Sequence, residues 1–257
     1  MSTCHKYPVA LQLYSVRDEV NKIGYAEVFK KVAEFGYGAV EFAGLYGQKP
    51  GEIRRTLDKF GLKATSGHGA VPNKDNIAQI VEETKELGYE WHIVSIEPEL
   101  LMNEDTCKRK AEILQAGADA LSKENIKLAI HNHWAEFDKL INGKYPVQLV
   151  MENAPDFYLQ IDTYWAAVAG INVADEIRKN HKLAPMPHIK DGPINQKDPH
   201  VAVGEGKMDW KPIMSAFNDK NIKWLVVELD KCATDMFVAV KKSVSYLVAN
   251  GYGSSRS

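Results

Sequence analysis

Six short apolar runs of this 257-residue chain finish in groups that could bind a cation or move a proton. They are Glu41, His68, His131 with His133, Asp162, His188 with Lys190, and Glu228 with Asp230. Asp162 closes Phe-Tyr-Leu-Gln-Ile-Asp, a run so apolar that its carboxylate would be costly to bury without a cation. Glu228 repeats that logic at the end of Trp-Leu-Val-Val-Glu. Residues two apart in an extended strand share a face, so His131 with His133, and His188 with Lys190, can point the same way. Together the groups offer mixed nitrogen and oxygen donors suited to one divalent metal ion, Mn²⁺, Co²⁺, Zn²⁺ or Mg²⁺.

Other signals carry less. Gly204-Glu-Gly-Lys207 lacks the spacing of a phosphate-binding loop and reads as a flexible turn. Trp134, Tyr164, Trp165 and Trp210 could stack on a sugar face. No Ser/His/Asp nucleophile motif is visible, which argues against acyl transfer. Cys4, Cys107 and Cys232 are odd in number and widely spaced, so neither a disulfide scaffold nor a zinc ribbon is expected.

These groups need elements to hold them. Strands are expected at 9–14, 39–42, 63–66, 92–96, 127–131, 157–162, 186–190 and 224–229, most of them separated by helical patterns. Tyr25, Val28, Phe29, Val32 and Ala33 keep the three-and-four spacing of a helix with one buried face. Gly36, Gly61 and Gly88 follow such segments, where a left-handed cap favours glycine. Strand–helix alternation over the whole length implies parallel strands with right-handed crossovers. Eight units in about 250 residues point to a (β/α)₈ TIM barrel, a single domain over 1–250 with a disordered tail over 251–257. Chemistry in such barrels gathers at the carboxyl ends of the strands, which is where the six groups fall. The polar loop Asp191–Asp209 is expected to belong to the site.

The motifs then resemble a known family. Leu11-Gln-Leu-Tyr-Ser-Val-Arg17, His131-Asn-His133 with Glu136-Phe137, Asp162-Thr-Tyr-Trp165 with Gly170, His188-Ile-Lys-Asp191 and Glu228-Leu-Asp230 resemble the sugar isomerase/epimerase-like family of xylose-isomerase-type TIM barrels. The resemblance runs from the first strand to the eighth. It implies one divalent metal at the barrel mouth, with Asp162, His188 and Glu228 as ligands. The family's strand-five glutamate is missing here, and either His131 takes its place or Glu136 reaches back from the loop. The family abstracts a proton next to a sugar carbonyl. The resemblance therefore implies Glu136 as general base, with His133 as second candidate. Lys190 would polarise a substrate oxygen, Glu41 and His68 would hold hydroxyls, and Trp165 would contact the sugar.

The opening heptad looks like a branch acting on 3-keto-glycosides made by partner oxidoreductases. Loss of the C2 proton then leads to epimerisation at C2 or to β-elimination of the C1 group, and cleavage is placed slightly ahead. Isomerisation or epimerisation of free sugars is the alternative. An abasic-site endonuclease is a more distant one, as is a non-catalytic sugar-binding barrel. Asp198-Pro-His200 resembles one endonuclease ligand pair, but Trp165 stands where that family needs a histidine. A net charge of −2 gives no support to a nucleic-acid partner. No run approaches the length of a membrane span and no signal peptide is evident, so a cytoplasmic protein is expected, leaving aside any leader removed earlier. Relatives of this kind are often homo-oligomers.

Overall fold

The computed structural model describes residues 6–218 and 220–256, leaving Cys4 and Ser257 outside the described residues. Eight parallel strands form a nearly closed barrel with alternating helices. The first half comprises β1 (Tyr7–Gln12), α1 (Arg17–Phe35), β2 (Ala39–Ala43), α2 (Pro50–Lys59), β3 (Lys63–His68), α3 (Ile77–Leu87), β4 (Trp91–Val94) and α4 (Glu104–Ser122). The second half comprises β5 (Lys127–His131), α5 (Pro146–Asn153), β6 (Phe157–Gln160), α6 (Thr163–Val168), α7 (Val173–Lys179), β7 (His188–Ile189), α8 (Trp210–Phe217), β8 (Leu225–Val227) and α9 (Met236–Ala249).

Hydrogen-bonded strand order runs β6-β5-β4-β3-β2-β1-β8-β7, and isolated bridges Leu159–Leu183 and Asp162–His188 join the two ends. The last join of the barrel is therefore made partly by two of the residues singled out for their chemistry. Val9, Leu11, Val40, Leu128, Ile130, Leu159, Val227 and the helix faces opposite them are buried in one apolar cluster. Gly36 (φ +104°) and Gly88 (φ +78°) end α1 and α3 in the left-handed region, as their positions suggested.

Two expectations need correction. The described part of the tail, 251–256, is ordered: Gly253–Ser254 form β9, paired parallel to Tyr7 and Pro8 of β1. Arg256 donates from its backbone N–H to Gly36 and from Nη1 to the Phe60 carbonyl. The small polar residues there lack a hydrophobic signal, but Tyr7 and Pro8 extend beyond the part of β1 that pairs with β2 and β8 and so accept a further strand. Gly253 also lies so close to Val9 that a Cβ would fall 2.7 Å from its Cγ2. The Gly204–Lys207 turn is likewise held rather than flexible. Asp191 is buried and accepts from the backbone N–H groups of Gly192, Gly204 and Met208 and from Trp210 Nε1. A Cβ on Gly206 would sit 2.0 Å from Asp191 Oδ1, so only glycine lets the loop close around that carboxylate.

Candidate active site

The strand ends converge on a cavity of about 520 Å³ at the barrel mouth. His68, His131, His133, Glu228 and Asp230 line it, with Tyr14 at the rim. Ligand atoms from His131, Asp162, His188 and Glu228 all lie within 4.8 Å of one another, and all four residues are buried. His68 forms an overlapping group with His131 and His188.

Local structure aims these donors. Asp162 is the N-cap of α6, its Oδ1 accepting from Trp165 N at 2.9 Å, which leaves Oδ2 for the cluster. Asn132, between the two histidines, faces the other way and substitutes for a strand ladder. Its Oδ1 accepts from Asp162 N at 2.9 Å and its Nδ2 donates to Asp162 O at 3.3 Å. Thr163 Oγ1 donates to the His188 carbonyl, fixing that backbone as well.

His188 is the hub. Its Nε2 lies 2.5 Å from Glu41 Oε1 and its Nδ1 2.7 Å from Glu228 Oε2. Burial disfavours the imidazolium, but the two carboxylates outweigh it and raise the pKa to about 10. His131 behaves oppositely: burial, reinforced by charge on His188, holds it neutral, well below the usual histidine range. His133 is lowered to about 4 by burial and by Lys190.

Lys190 lies below the cavity rather than facing it, among three carboxylates. Nζ is 3.0 Å from Asp162 Oδ2, 2.8 Å from Glu228 Oε2 and 2.9 Å from Asp230 Oδ1. Burial opposes its charge, yet Asp162 and Asp230 keep it protonated, well above the usual lysine range. With its charge absorbed in this way, Lys190 is not presented to the cavity as expected. Burial raises Asp162 despite Lys190, whereas Lys190 and His188 carry Glu228 well below the usual carboxylate range against burial.

Glu41 differs from its expected role too. It is completely buried and does not line the cavity. Its oxygens meet Gln12 Nε2 (2.7 Å), Gln160 Nε2 (2.6 Å), His68 Nε2 (2.9 Å), His188 Nε2 and Ser66 Oγ. Every lone pair is engaged, so Glu41 positions His68 and His188 instead of holding substrate. Gln12 and Gln160 were not anticipated as site residues. The available signal was a glutamine in an otherwise apolar strand.

Trp165 is only 7% exposed and forms a wall behind His133, its ring centroid 5.2 Å from that of Trp134 and 5.7 Å from that of His200. The cap that Asp162 provides pulls it inward, away from an open stacking position. Trp210 and Tyr164 are committed to the 191–209 loop, through Asp191 and the Asn195 carbonyl. That loop packs beside the site through His200, whose Nδ1 accepts from Asp230 N at 3.0 Å. Glu136 is buried in the 3₁₀ turn Ala135–Phe137, with Oε2 accepting from His133 N at 2.9 Å. It lines a second cavity that shares Ser95 and His133 with the first.

The donor set suits a divalent cation. His131 Nδ1 is buried without a hydrogen-bond partner, and Asp162 Oδ2 meets the Lys190 ammonium at 3.0 Å with the His131 and His188 rings just beyond hydrogen-bond reach. Four carboxyl groups (Glu41, Asp162, Glu228 and Asp230) surround Lys190 and His188, and a divalent ion would take the place of the His188 proton shared with Glu228, leaving His188 to ligate as a neutral imidazole. Of the two strand-five alternatives, His131 stands in the donor cluster and Glu136 does not. Among the described residues no second group of potential metal ligands lies apart from this one, and His200 is not among them. No described helix is long and apolar enough to cross a membrane.

Comparison with known proteins agrees with this architecture. The family model of xylose isomerase-like TIM barrels matches residues 29–235. A sugar phosphate isomerase/epimerase from Parabacteroides distasonis superposes with a TM-score of 0.79 at 24% identity, covering 97% of this chain and 96% of that one. A probable 3-DHS dehydratase from Bacillus anthracis gives 0.78 at 11% identity, with coverage of 95% and 99%. The IOLI protein with a bound zinc atom gives 0.73 at 14% identity, with coverage of 95% and 99%. No curated protein matches the chain in sequence.

Proposed function

The chain belongs to the xylose isomerase-like TIM barrel family, and from that premise we propose that it is a divalent-metal-dependent enzyme abstracting a proton next to a sugar carbonyl. The preferred substrates are 3-keto-glycosides, with β-elimination of the C1 group ahead of C2 epimerisation. The observation that carries this reading is the meeting of His131, Asp162, His188 and Glu228 donors within 4.8 Å, beside a cavity large enough for a sugar. Kinship with a sugar phosphate isomerase/epimerase and a dehydratase supports both fates of the same intermediate.

Those four residues would hold the metal, and the zinc atom bound by the IOLI protein of similar fold supports a metal-dependent reading. When bound, such an ion supplies Lewis-acid stabilisation of negative charge developing on a carbonyl oxygen. The protein's own groups do the rest. A ketone at C3 acidifies the C2 hydrogen, and a general base must lie within hydrogen-bond reach of it. His133 lines the sugar-sized cavity and Glu136 does not, so His133 is the group placed to take that proton. His68, whose Nε2 is held by Glu41 and Gln160, orients a substrate hydroxyl. Lys190 holds the carboxylate cage together. An oxidoreductase that converts a glycoside C3 hydroxyl to a ketone would supply the substrate.

Proton NMR of a 3-keto-glucoside in D₂O tests the proposal, with metal-loaded and chelator-treated protein. Metal-dependent exchange at C2 is expected, accompanied by loss of the C1 group. An unchanged C2 signal with loaded protein refutes the reading.

A further inference from the structure

Beside the sugar-sized cavity lies a second one of about 320 Å³, walled by Ile96, Pro98, Trp134 and Ala135. The two share Ser95 and His133, so a ligand larger than one sugar ring can occupy both at once. Among the described residues, the acidic side chains lining the second cavity are Glu97, which is exposed, and Glu136, which is completely buried. Glu136 Oε1 has no hydrogen-bond partner, while Oε2 is held by the His133 backbone N–H. A buried carboxyl oxygen left unpaired costs free energy unless a ligand completes it. The residue that anchors Glu136 is also the one placed against the C2 proton, which sets the carboxyl next to the reacting carbons.

We infer that Glu136 is the general acid that protonates the departing oxygen at C1, and that the apolar cavity receives the departing group. This rests on the 3-keto-glycoside reading above. The base first removes the C2 proton, and the electron pair of that C–H bond moves onto the C3 carbonyl oxygen. As the carbonyl re-forms, the C1–C2 double bond is made and the C1–O bond breaks, its pair leaving with the oxygen. The Glu136 proton converts that oxygen to a neutral hydroxyl; the base then releases the C2 proton to water and the Glu136 carboxylate takes one up from it, so both groups are restored. No oxidant or second substrate is needed. Burial raises Glu136 to about 7 against its backbone hydrogen bonds, so it carries the required proton near neutrality. The walls of Ile96, Pro98 and Trp134 favour an aromatic or other apolar aglycone over a second sugar.

The test uses metal-loaded protein with the 3-keto derivatives of methyl β-glucoside and p-nitrophenyl β-glucoside, corrected for spontaneous elimination. Glu136→Gln keeps an oxygen to accept from His133 N but has no acidic proton. It should slow methanol release by about 100-fold or more, the range of acid catalysis, and p-nitrophenol release by under about tenfold, because phenolate leaves unaided. C2 exchange should change by no more than about threefold, the step before acid assistance is needed. Parallel loss of exchange, or equal effects on the two leaving groups, overturns the acid role. Ala135→Trp, which fills the second cavity, should raise KM for the aryl substrate much more than for the methyl one, and equal effects overturn the assignment of that cavity. If the wild-type protein exchanges C2 in neither substrate, the 3-keto-glycoside reading itself has failed, a result separable from all of these.

Discussion

Asp162 and His188 are paired backbone to backbone across the seam of the barrel while their side chains enter the same donor cluster, with Asp162 Oδ2 3.9 Å from His188 Nδ1. The His188 N–H donates to the Ile161 carbonyl at 2.8 Å, and Asp162 begins α6 through its other carboxylate oxygen. One short stretch thus closes the sheet, starts a helix and presents two donors. Cation affinity and fold stability meet there, but different atoms serve each.

Substitutions at Asp162 should separate those roles. Asp162→Asn retains an oxygen able to cap α6 but loses the charge. Asp162→Ala loses the cap as well, at an additional cost of about 1 kcal/mol. Isothermal titration with Mn²⁺ or Zn²⁺ should show weakened binding in both variants, whereas chemical denaturation of metal-free protein should show the added loss only in Asp162→Ala. Wild-type affinity in Asp162→Asn would contradict the assigned ligand set.

Removing Lys190 should be more damaging than removing any exposed lysine. Lys190→Met leaves Asp162, Glu228 and Asp230 without their shared cation, and breaking buried ion pairs costs about 3–5 kcal/mol. The loss is expected in urea denaturation of metal-free protein and should shrink when a divalent ion is added, since the ion restores positive charge to the same carboxylates. An equal loss with and without metal would count against a cation site.

Stability of the metal-free protein should fall on both sides of neutrality. His188, raised to about 10, contributes stability that is fully present below its unfolded value near 6.5 and lost as pH rises through 10. His133 and His200, lowered to about 4, act oppositely: the unfolded chain takes up their protons first, so stability drops as pH falls from about 6.5 to 4. Glu136, at about 7, contributes stability at low pH that is lost as pH rises through 7. Urea midpoints at intervals from pH 4 to 10 would trace these windows, and His188→Gln should flatten the alkaline limb.

Asp191→Asn should loosen the 191–209 loop without moving the barrel. An asparagine offers one oxygen where the carboxylate accepts from four N–H groups, and lost hydrogen bonds to a charged group cost about 1.5–3 kcal/mol each. Limited proteolysis should cut within the loop first, and Trp210 fluorescence should change.

The barrel was legible because eight β-rich runs and the helices between them repeat a pattern that only a few topologies satisfy. The four donors were legible for a related reason: charge at the end of an apolar strand has few bland explanations. What the sequence could not convey was depth. Glu41 and His68 end neighbouring strands alike, but one is sealed beneath the cavity and the other opens onto it. Lys190 ends a strand as an available cation would, yet three carboxylates, one of them 28 residues before it, surround its ammonium group. The tail misled for want of apolar residues, because its order comes from backbone pairing with β1.

The five groups around Glu41 come from β1, β3, β6 and β7, so one carboxylate ties together strands that do not all neighbour one another in the sheet. Such a knot cannot be changed one strand at a time: each single replacement strands the partners that remain, and the penalties will not sum. Variation at Gln12, Ser66, Gln160 and Glu41 must therefore travel as a set, and substitutions at the rim, such as Tyr14 or Ser95, are the free ones. The barrel can change what it accepts at its edge while its interior stays fixed.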